Sequence, residues 1–319
     1  MGGSSGGDDG GEETGRSRST GRDAEETQRE VESMTDYIKC GNNLELMKEL
    51  PNECIDLTIT SPPYDNLRNY EGITWDFEGV ARELYRITKV GGCVVWVVGD
   101  ATINGSETGT SFRQALYFME VGFYLHDTMI YQKDSNPFPD INRYYQRFEY
   151  MFVFSKGKPK TANLIADVPN KWHGQKIITK ERQKDGSQRV GSSYRNGRSV
   201  NEFGIRGNVW SYSVGKNKTT TDDYAFAHPA MFPEQLAKDM IVTWSNEGDT
   251  VFDPFLGSGT TAKMAILTNR HYIGFEISER YCNIARRRIN DANCAMGRPD
   301  TEQVESETAQ INLFNFLET

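Results

Sequence analysis

Thr250-Val251-Phe252-Asp253-Pro254-Phe255-Leu256-Gly257-Ser258-Gly259-Thr260-Thr261 sets a strand, a glycine turn and a helix in immediate succession. Thr250, Val251 and Phe252 have the β-branched and aromatic character of a short strand, and after the glycines the chain reads as a helix through Leu267. Gly257 and Gly259 between them permit a tight turn and a close approach of backbone to ligand, as in nucleotide-binding α/β units. Residues 271–275 read as the next strand. It ends in Glu276, where an acidic side chain can accept both hydroxyls of a ribose. No Lys follows the glycines, so the loop is not a P-loop and better suits a nucleoside without a triphosphate. The same residues are also compatible with a plain strand-to-helix turn and, for Glu276, with a helix cap ahead of Ser278.

Upstream the chain keeps alternating. Residues 37–40 read as a short strand, Gly41-Asn42 as turn and cap, and Leu44, Met47 and Leu50 fall at helical spacing before Pro51-Asn52. Residues 77–89 carry Val80, Leu84 and Ile87 on one helical face and are closed by Gly91-Gly92. The run 93–98 is too uniformly apolar for a half-exposed strand and suits a central one covered on both faces. A helix over 111–121 and strands over 123–131 and 148–155 follow. Beyond a long polar interval, Phe232-Pro233-Glu234 opens another helix with Pro in its first turn, and residues 278–290 form a basic final helix. Strands alternating with helices predict an α/β domain with a mainly parallel sheet.

A second motif stands early, in Thr60-Ser61-Pro62-Pro63-Tyr64. Ile55, Leu57 and Ile59 alternate with Asp56, Thr58 and Thr60, so a strand delivers the prolines to a sheet edge. Pro62 and Pro63 lack backbone N–H groups and force their predecessors toward extended geometry, which leaves carbonyl acceptors and few donors. With the Ser61 hydroxyl and the Tyr64 ring, the loop suits a planar ring bearing an exocyclic amino group. A proline turn after a strand accounts for these residues equally well.

The chain has 319 residues and a net charge of −9, which looks wrong for a nucleic-acid binder, but the charge is uneven. Residues 156–227 hold fourteen Lys/Arg against six Asp/Glu, a local +8 that leaves −17 for the remainder. Trp172, Tyr194, Phe203, Trp210, Tyr212 and Tyr224 are interleaved among the polar residues of this segment. Lys176, Lys180, Arg182, Arg189, Arg195, Arg198 and Arg206 are its candidate DNA contacts, in an insert facing nucleic acid; a solvated insertion with an incidental basic excess is the competing reading. The five cysteines (Cys40, Cys54, Cys93, Cys282, Cys294) are scattered, with no C-x-x-C pair and no His at ligand spacing. That pattern predicts neither a disulfide framework nor a metal site. No apolar run reaches membrane-spanning length and no signal-peptide core opens the chain, so an intracellular protein is expected.

The pairing of Ser61-Pro62-Pro63-Tyr64 early with the Asp253–Thr261 glycine motif late resembles the β-class amino-group DNA methyltransferases, over roughly residues 36–291. In that family the catalytic motif precedes the S-adenosylmethionine motif, a circular permutation; methylases of ribosomal RNA and release factors carry the reverse order. The resemblance implies a Rossmann-like S-adenosylmethionine-dependent methyltransferase fold with a seven-stranded sheet. The catalytic domain would comprise residues 35–155 and 228–292, and residues 156–227 would be an inserted target-recognition region. It makes Ser61, Pro62, Pro63 and Tyr64 catalytic, and Asp253, Phe255, Gly257, Gly259 and Thr260 the cofactor loop, with Glu276 as the ribose ligand. Asn42 stands near the cofactor adenine where many members have Asp, and the segment from His228 through Phe232 to Pro233 packs against the methionine part. Glu149 with Phe154-Ser155-Lys156-Gly157 resembles the lead into the recognition region. Ser in the first motif position resembles the enzymes acting on N4 of cytosine; N6 of adenine is the alternative, and a catalytically silent DNA-binding module a second one. The partner implied is double-stranded DNA, in the cytoplasm at the nucleoid.

Residues 1–34 are Gly, Ser and charge with almost no apolar anchor, a composition that predicts disorder, as do residues 293–319. The end carries Gln310-Ile311-Asn312-Leu313-Phe314, which resembles the peptide of bacterial sliding-clamp binders; docking back on the domain is the competing expectation.

Overall fold

The computed structural model describes residues 35–63, 75–134, 142–177, 180–191 and 197–298. Tyr64, Arg195, the peptide Gln310–Phe314 and residues 1–34 lie outside the described residues.

Eight strands form the main sheet: β1 (Tyr37–Cys40), β2 (Ile55–Thr60), β3 (Thr88–Val98), β4 (Tyr124–Lys133), β5 (Phe148–Ser155), β6 (Val209–Tyr212), β7 (Thr250–Asp253) and β8 (His271–Glu276). Their order across the sheet is β1-β8-β7-β2-β3-β5-β4-β6. Only the pairs of β5, with β3 and with β4, are antiparallel. The helices are α1 (Asn43–Lys48), α2 (Phe77–Ile87), α3 (Thr110–Val121), α4 (Glu234–Trp244), α5 (Thr260–Leu267) and α6 (Glu279–Ala295).

Both faces of the sheet are covered, as the apolar run of β3 requires. Val94, Trp96 and Val98 pack with Leu84 of α2 and Phe118 of α3, whereas Val95 and Val97 pack with Leu236 and Met240 of α4 and Ile289 of α6. The strand period of two thus sorts one sequence run into two cores. In β2, Leu57 and Ile59 share the second core while Ile55 falls in the first, and the β2–β3 register shifts between Ile55 and Leu57.

Three expectations are corrected. The sheet has an eighth strand: Val209–Tyr212, inside the segment assigned to the insert, runs parallel to β4 and buries Trp210 and Tyr212 in the main core. Their alternation with exposed Val209 and Ser211 is a strand signal masked by the polar residues around it. β2 is an interior strand between β7 and β3, so its prolines leave from the carboxyl end of the sheet and not from a lateral edge. Finally, α6 runs to Ala295, beyond the point at which the flexible tail was expected.

Candidate active site

The parallel strands β1, β2, β7 and β8 deliver their carboxyl ends to one crevice, the position where open α/β sheets bind ligands. A solvent-open cleft of about 1350 Å³ lies there. Of the residues expected to hold the cofactor, Asn42, Phe232, Asp253, Phe255, Gly257, Thr260 and Glu276 line it, and so do Ser61 and Pro63. Two motifs separated by most of the chain therefore share one cavity.

Asp253 joins them. Its Oδ1 accepts a hydrogen bond from Thr60 Oγ1 at 2.7 Å and from the Phe255 amide at 3.0 Å, and its Oδ2 accepts from Thr261 Oγ1 at 2.7 Å. Burial pushes its pKa up to about 6, while these three donors pull the other way. The polar members of β2 are thus not a solvent-facing row. Asp56 accepts from Lys89 Nζ at 2.6 Å and from the Thr250 amide at 3.1 Å, which ties β2 to β3 and β7.

Glu276, last in β8, accepts from the Gly257 amide at 2.8 Å and the Ser278 amide at 2.9 Å. Burial raises its pKa, and the backbone donors oppose that. Gly257 has φ +54°, and a Cβ there would stand 2.9 Å from His228 Nε2, so only glycine fits the turn. Gly259 has a different task. A Cβ on it would lie 2.8 Å from the Ala285 Cβ, so it lets α5 and α6 close together, and it is not among the residues lining the cleft. Asn42 lines the cleft, but its carboxamide oxygen caps α1, accepting from the Leu44 and Glu45 amides.

Several residues here were not singled out from sequence. Trp75 Nε1 donates to the Pro63 carbonyl at 3.0 Å, and its ring meets Phe255 edge-on at 4.8 Å, bracing the proline loop against the glycine loop. Asn43 Nδ2 donates to the Pro254 carbonyl at 3.1 Å. Tyr281 stacks edge-on against His228 at 4.4 Å. A lone Trp ahead of the helix cap Asp76 was the available signal for the first; the others depend on contacts that spacing does not encode.

In the insert, Lys176, Lys180, Arg182, Arg189 and Arg198 are exposed. Lys180–Arg182 pairs antiparallel with Gln188–Val190 as a two-stranded ribbon, which puts Lys180 and Arg182 on one face. Arg206 departs from expectation. It is ion-paired with Asp167 and, at 2.6 Å, with Asp239, and it packs on the Trp210 ring, so it braces β6 and is not an open cation.

A family model described as DNA methylase, for N6 and N4 methylation, matches residues 55–287. The chain belongs to this DNA methylase family. It is the β class of amino-group methyltransferases, with the catalytic motif ahead of the glycine loop as expected. The methylase is 62% identical over 247 residues to the orphan methyltransferase M.BamHII of Bacillus amyloliquefaciens, covering 77% of this chain and 92% of that one. It is 29% identical to the DNA adenine methyltransferase YhdJ of Escherichia coli (strain K12), covering 79% and 82%. Its fold matches the PvuII DNA methyltransferase (cytosine-N4-specific) with a TM-score of 0.58 at 23% identity, over 80% of this chain and 86% of that one. It also matches M1.HpyAVI in complex with SAM, with a TM-score of 0.51 at 20% identity over 79% and 98%. Among the described residues of the methylase, no helix is long and apolar enough to cross a membrane.

Proposed function

We propose that the methylase transfers a methyl group from S-adenosylmethionine to the exocyclic N4 of cytosine in duplex DNA, at a base flipped into the cleft. The observation that carries this reading is the cavity shared by Ser61 and Pro63 with the Asp253–Glu276 loops, joined by the Thr60–Asp253 hydrogen bond, with Pro62 buried between the two lining residues. S-adenosylmethionine is the cofactor. The charged residues among those described in the lining are Asp253 and Glu276, with no Lys or Arg, so the cleft favours a cationic sulfonium nucleoside over a phosphorylated one. Glu276 accepts from the ribose hydroxyls, and Phe232, Phe255 and Tyr281 supply apolar walls. Bound there, the cofactor supplies an electrophilic methyl group.

The amino nitrogen of cytosine is a poor nucleophile because its lone pair is delocalised into the ring. The Ser61 hydroxyl and Pro62 carbonyl accept hydrogen bonds from its two N–H groups, localise the lone pair and stabilise the charge that develops on the nitrogen as the carbon–sulfur bond breaks, the neutral thioether leaves and one N–H proton passes to solvent. The Trp75–Pro63 hydrogen bond occupies one of the two lone pairs of the Pro63 carbonyl. Tyr64 stacks on the extruded ring, and no cysteine nucleophile is required. The exposed cations Lys176, Lys180, Arg182, Arg189 and Arg198 hold the DNA, together with Arg195. The enzyme acts in the cytoplasm, at the nucleoid; the peptide Gln310–Phe314 contributes nothing to this reading.

A second reading, methylation of N6 of adenine, is favoured by the likeness to YhdJ, described as an adenine methyltransferase. Enzymatic digestion of methylated DNA to deoxynucleosides followed by mass spectrometry separates the two: N4-methyl-2′-deoxycytidine is expected, N6-methyl-2′-deoxyadenosine would replace it with the second reading, and no methylated deoxynucleoside would leave a silent DNA-binding module. Ser61→Ala should lower turnover about 100-fold with S-adenosylmethionine affinity nearly unchanged. Near-normal turnover in that variant would remove Ser61 from the catalytic loop.

A further inference from the structure

Cys40 ends β1, whereas Glu279 and Cys282 stand one turn apart in the first half of α6. Spacing along the chain gives no hint of it, but the thiol sulfurs of Cys40 and Cys282 and a carboxylate oxygen of Glu279 all lie within 4.8 Å of one another. The i, i+3 spacing puts Glu279 and Cys282 on one face of their helix, and that face meets the end of β1. We propose that Cys40, Glu279 and Cys282 form a binding site for a thiophilic divalent cation of the zinc type.

The chemistry of the donors is that of such a site. Two thiolates and a carboxylate are three ligands for a tetrahedral borderline-soft ion, with the fourth position left to water. Metal–sulfur and metal–oxygen bonds of roughly 2.3 and 2.0 Å put neighbouring ligand atoms roughly 3.5 to 3.8 Å apart, so the three atoms close on an ion by side-chain rotation without backbone movement. Cys282 is buried, Cys40 half-buried and Glu279 exposed, which provides both a shielded interior and an entry path.

At present each thiol contacts a carbonyl of one loop: Cys282 Sγ that of Glu276 at 3.5 Å, and Cys40 Sγ that of Ile277 at 3.6 Å. Glu279 pairs through Oε1 with Arg286 Nη1 at 2.8 Å, so the ion competes with one half-exposed cation and not with a buried network. Burial holds both thiols above their ordinary range, so binding displaces two protons. The site goes beyond methyl transfer and does not depend on which base is methylated. Its connection with the reaction is through the loop Glu276-Ile277-Ser278, which the ion would tie to β1 and α6 behind the cofactor cleft.

Cadmium chloride is the probe, because thiolate-to-cadmium charge transfer absorbs in the ultraviolet. The full-length protein, reduced and stripped with a chelator, is titrated near neutral pH. One equivalent should saturate a charge-transfer band, release two protons and raise the melting temperature. Cys40→Ser and Cys282→Ser should each weaken binding by at least about 100-fold, and Glu279→Gln by about 10-fold. Cys294→Ser, an exposed thiol outside the cluster, should leave binding unchanged. The proposal is overturned if no band saturates at one equivalent, or if cadmium affinity is unchanged in both Cys40→Ser and Glu279→Gln. Glu279 is exposed and its substitution does not disturb the core, so this variant decides the matter even where Cys282→Ser fails to fold.

Discussion

Asp253 accepts from Thr60 Oγ1, Thr261 Oγ1 and the Phe255 amide, yet burial still pushes its pKa up to about 6. An unfolded Asp titrates near 3.9, so between about pH 4 and pH 6 the folded chain retains a proton that the unfolded chain releases. The contribution of this group to stability is therefore complete below about pH 4 and lost as pH rises through about 6. A shift of about two units corresponds to roughly 3 kcal/mol. Asp253→Asn cannot ionise, so the difference in unfolding free energy, wild type minus variant, should fall by that amount between about pH 4 and pH 6 and then level off. Denaturant titrations across this range measure it, and a flat difference would contradict the burial argument. This carboxylate was legible in the sequence because it stands at the end of a strand beside the glycines. What was not legible is its role: Asp253 is engaged by the protein's own donors, and through the Thr60 hydrogen bond it joins the two loops.

Elements are joined around the cleft by a buried ionic cluster. Arg288 of α6 is fully buried; its Nε donates to Asp222 at 2.8 Å, its Nη2 to Glu234 of α4 at 2.5 Å, and its Nη1 to the Ser258 carbonyl and Thr260 Oγ1 of the glycine loop at 3.1 and 2.8 Å. Lys263 of α5 completes the cluster on the same two carboxylates, at 2.7 and 2.8 Å. Against burial, which would raise it, the hydrogen bonds from Lys263 and Arg288 hold the Asp222 pKa below its ordinary value. Two cations thus meet two anions, and removing one partner leaves an uncompensated buried charge. Arg288→Met should cost about 3 to 5 kcal/mol in chemical denaturation. Arg288→Lys, which keeps the charge but loses the planar fork, should cost less and weaken cofactor binding through the Ser258–Thr260 loop. Equal losses in the two variants would mean that the fork geometry is immaterial. The helices carrying this cluster were readable from periodicity and proline placement, and β2, β3, β5, β7 and β8 from their apolar runs. The cluster itself was not: the sequence shows a basic final helix, and only the tertiary fold turns one of its arginines inward. Val209–Tyr212 escaped for a related reason, since a four-residue parallel strand at the rim of a sheet takes its identity from β4 and not from its own composition.

Over the whole chain, charge of the two signs is segregated along the sequence. The net charge of −9 divides into +8 over residues 156–227 and −17 over the rest, so long-range attraction for a phosphate backbone is confined to the insert. Within it the charges are not equivalent. Arg206 is neutralised by Asp167 and Asp239, while Lys180 and Arg182 project from the same face of an exposed ribbon. Phosphate contacts release counterions, and each one lost lowers the slope of log affinity against log salt by about 0.9. Replacing Lys180 and Arg182 together by Ala should therefore reduce the magnitude of that slope by about 2. Fluorescence anisotropy of labelled duplex DNA over a range of salt concentrations reads it directly. Turnover at saturating DNA should stay near the wild-type value, because neither residue reaches the cleft that holds Ser61 and Glu276. Arg206→Ala should behave in the opposite way, costing stability by leaving the buried Asp239 charge without its cation while leaving the salt slope nearly unchanged. If Arg206→Ala lowers the slope as much as the ribbon pair does, then the insert presents that arginine to DNA and its ion pairs open on binding.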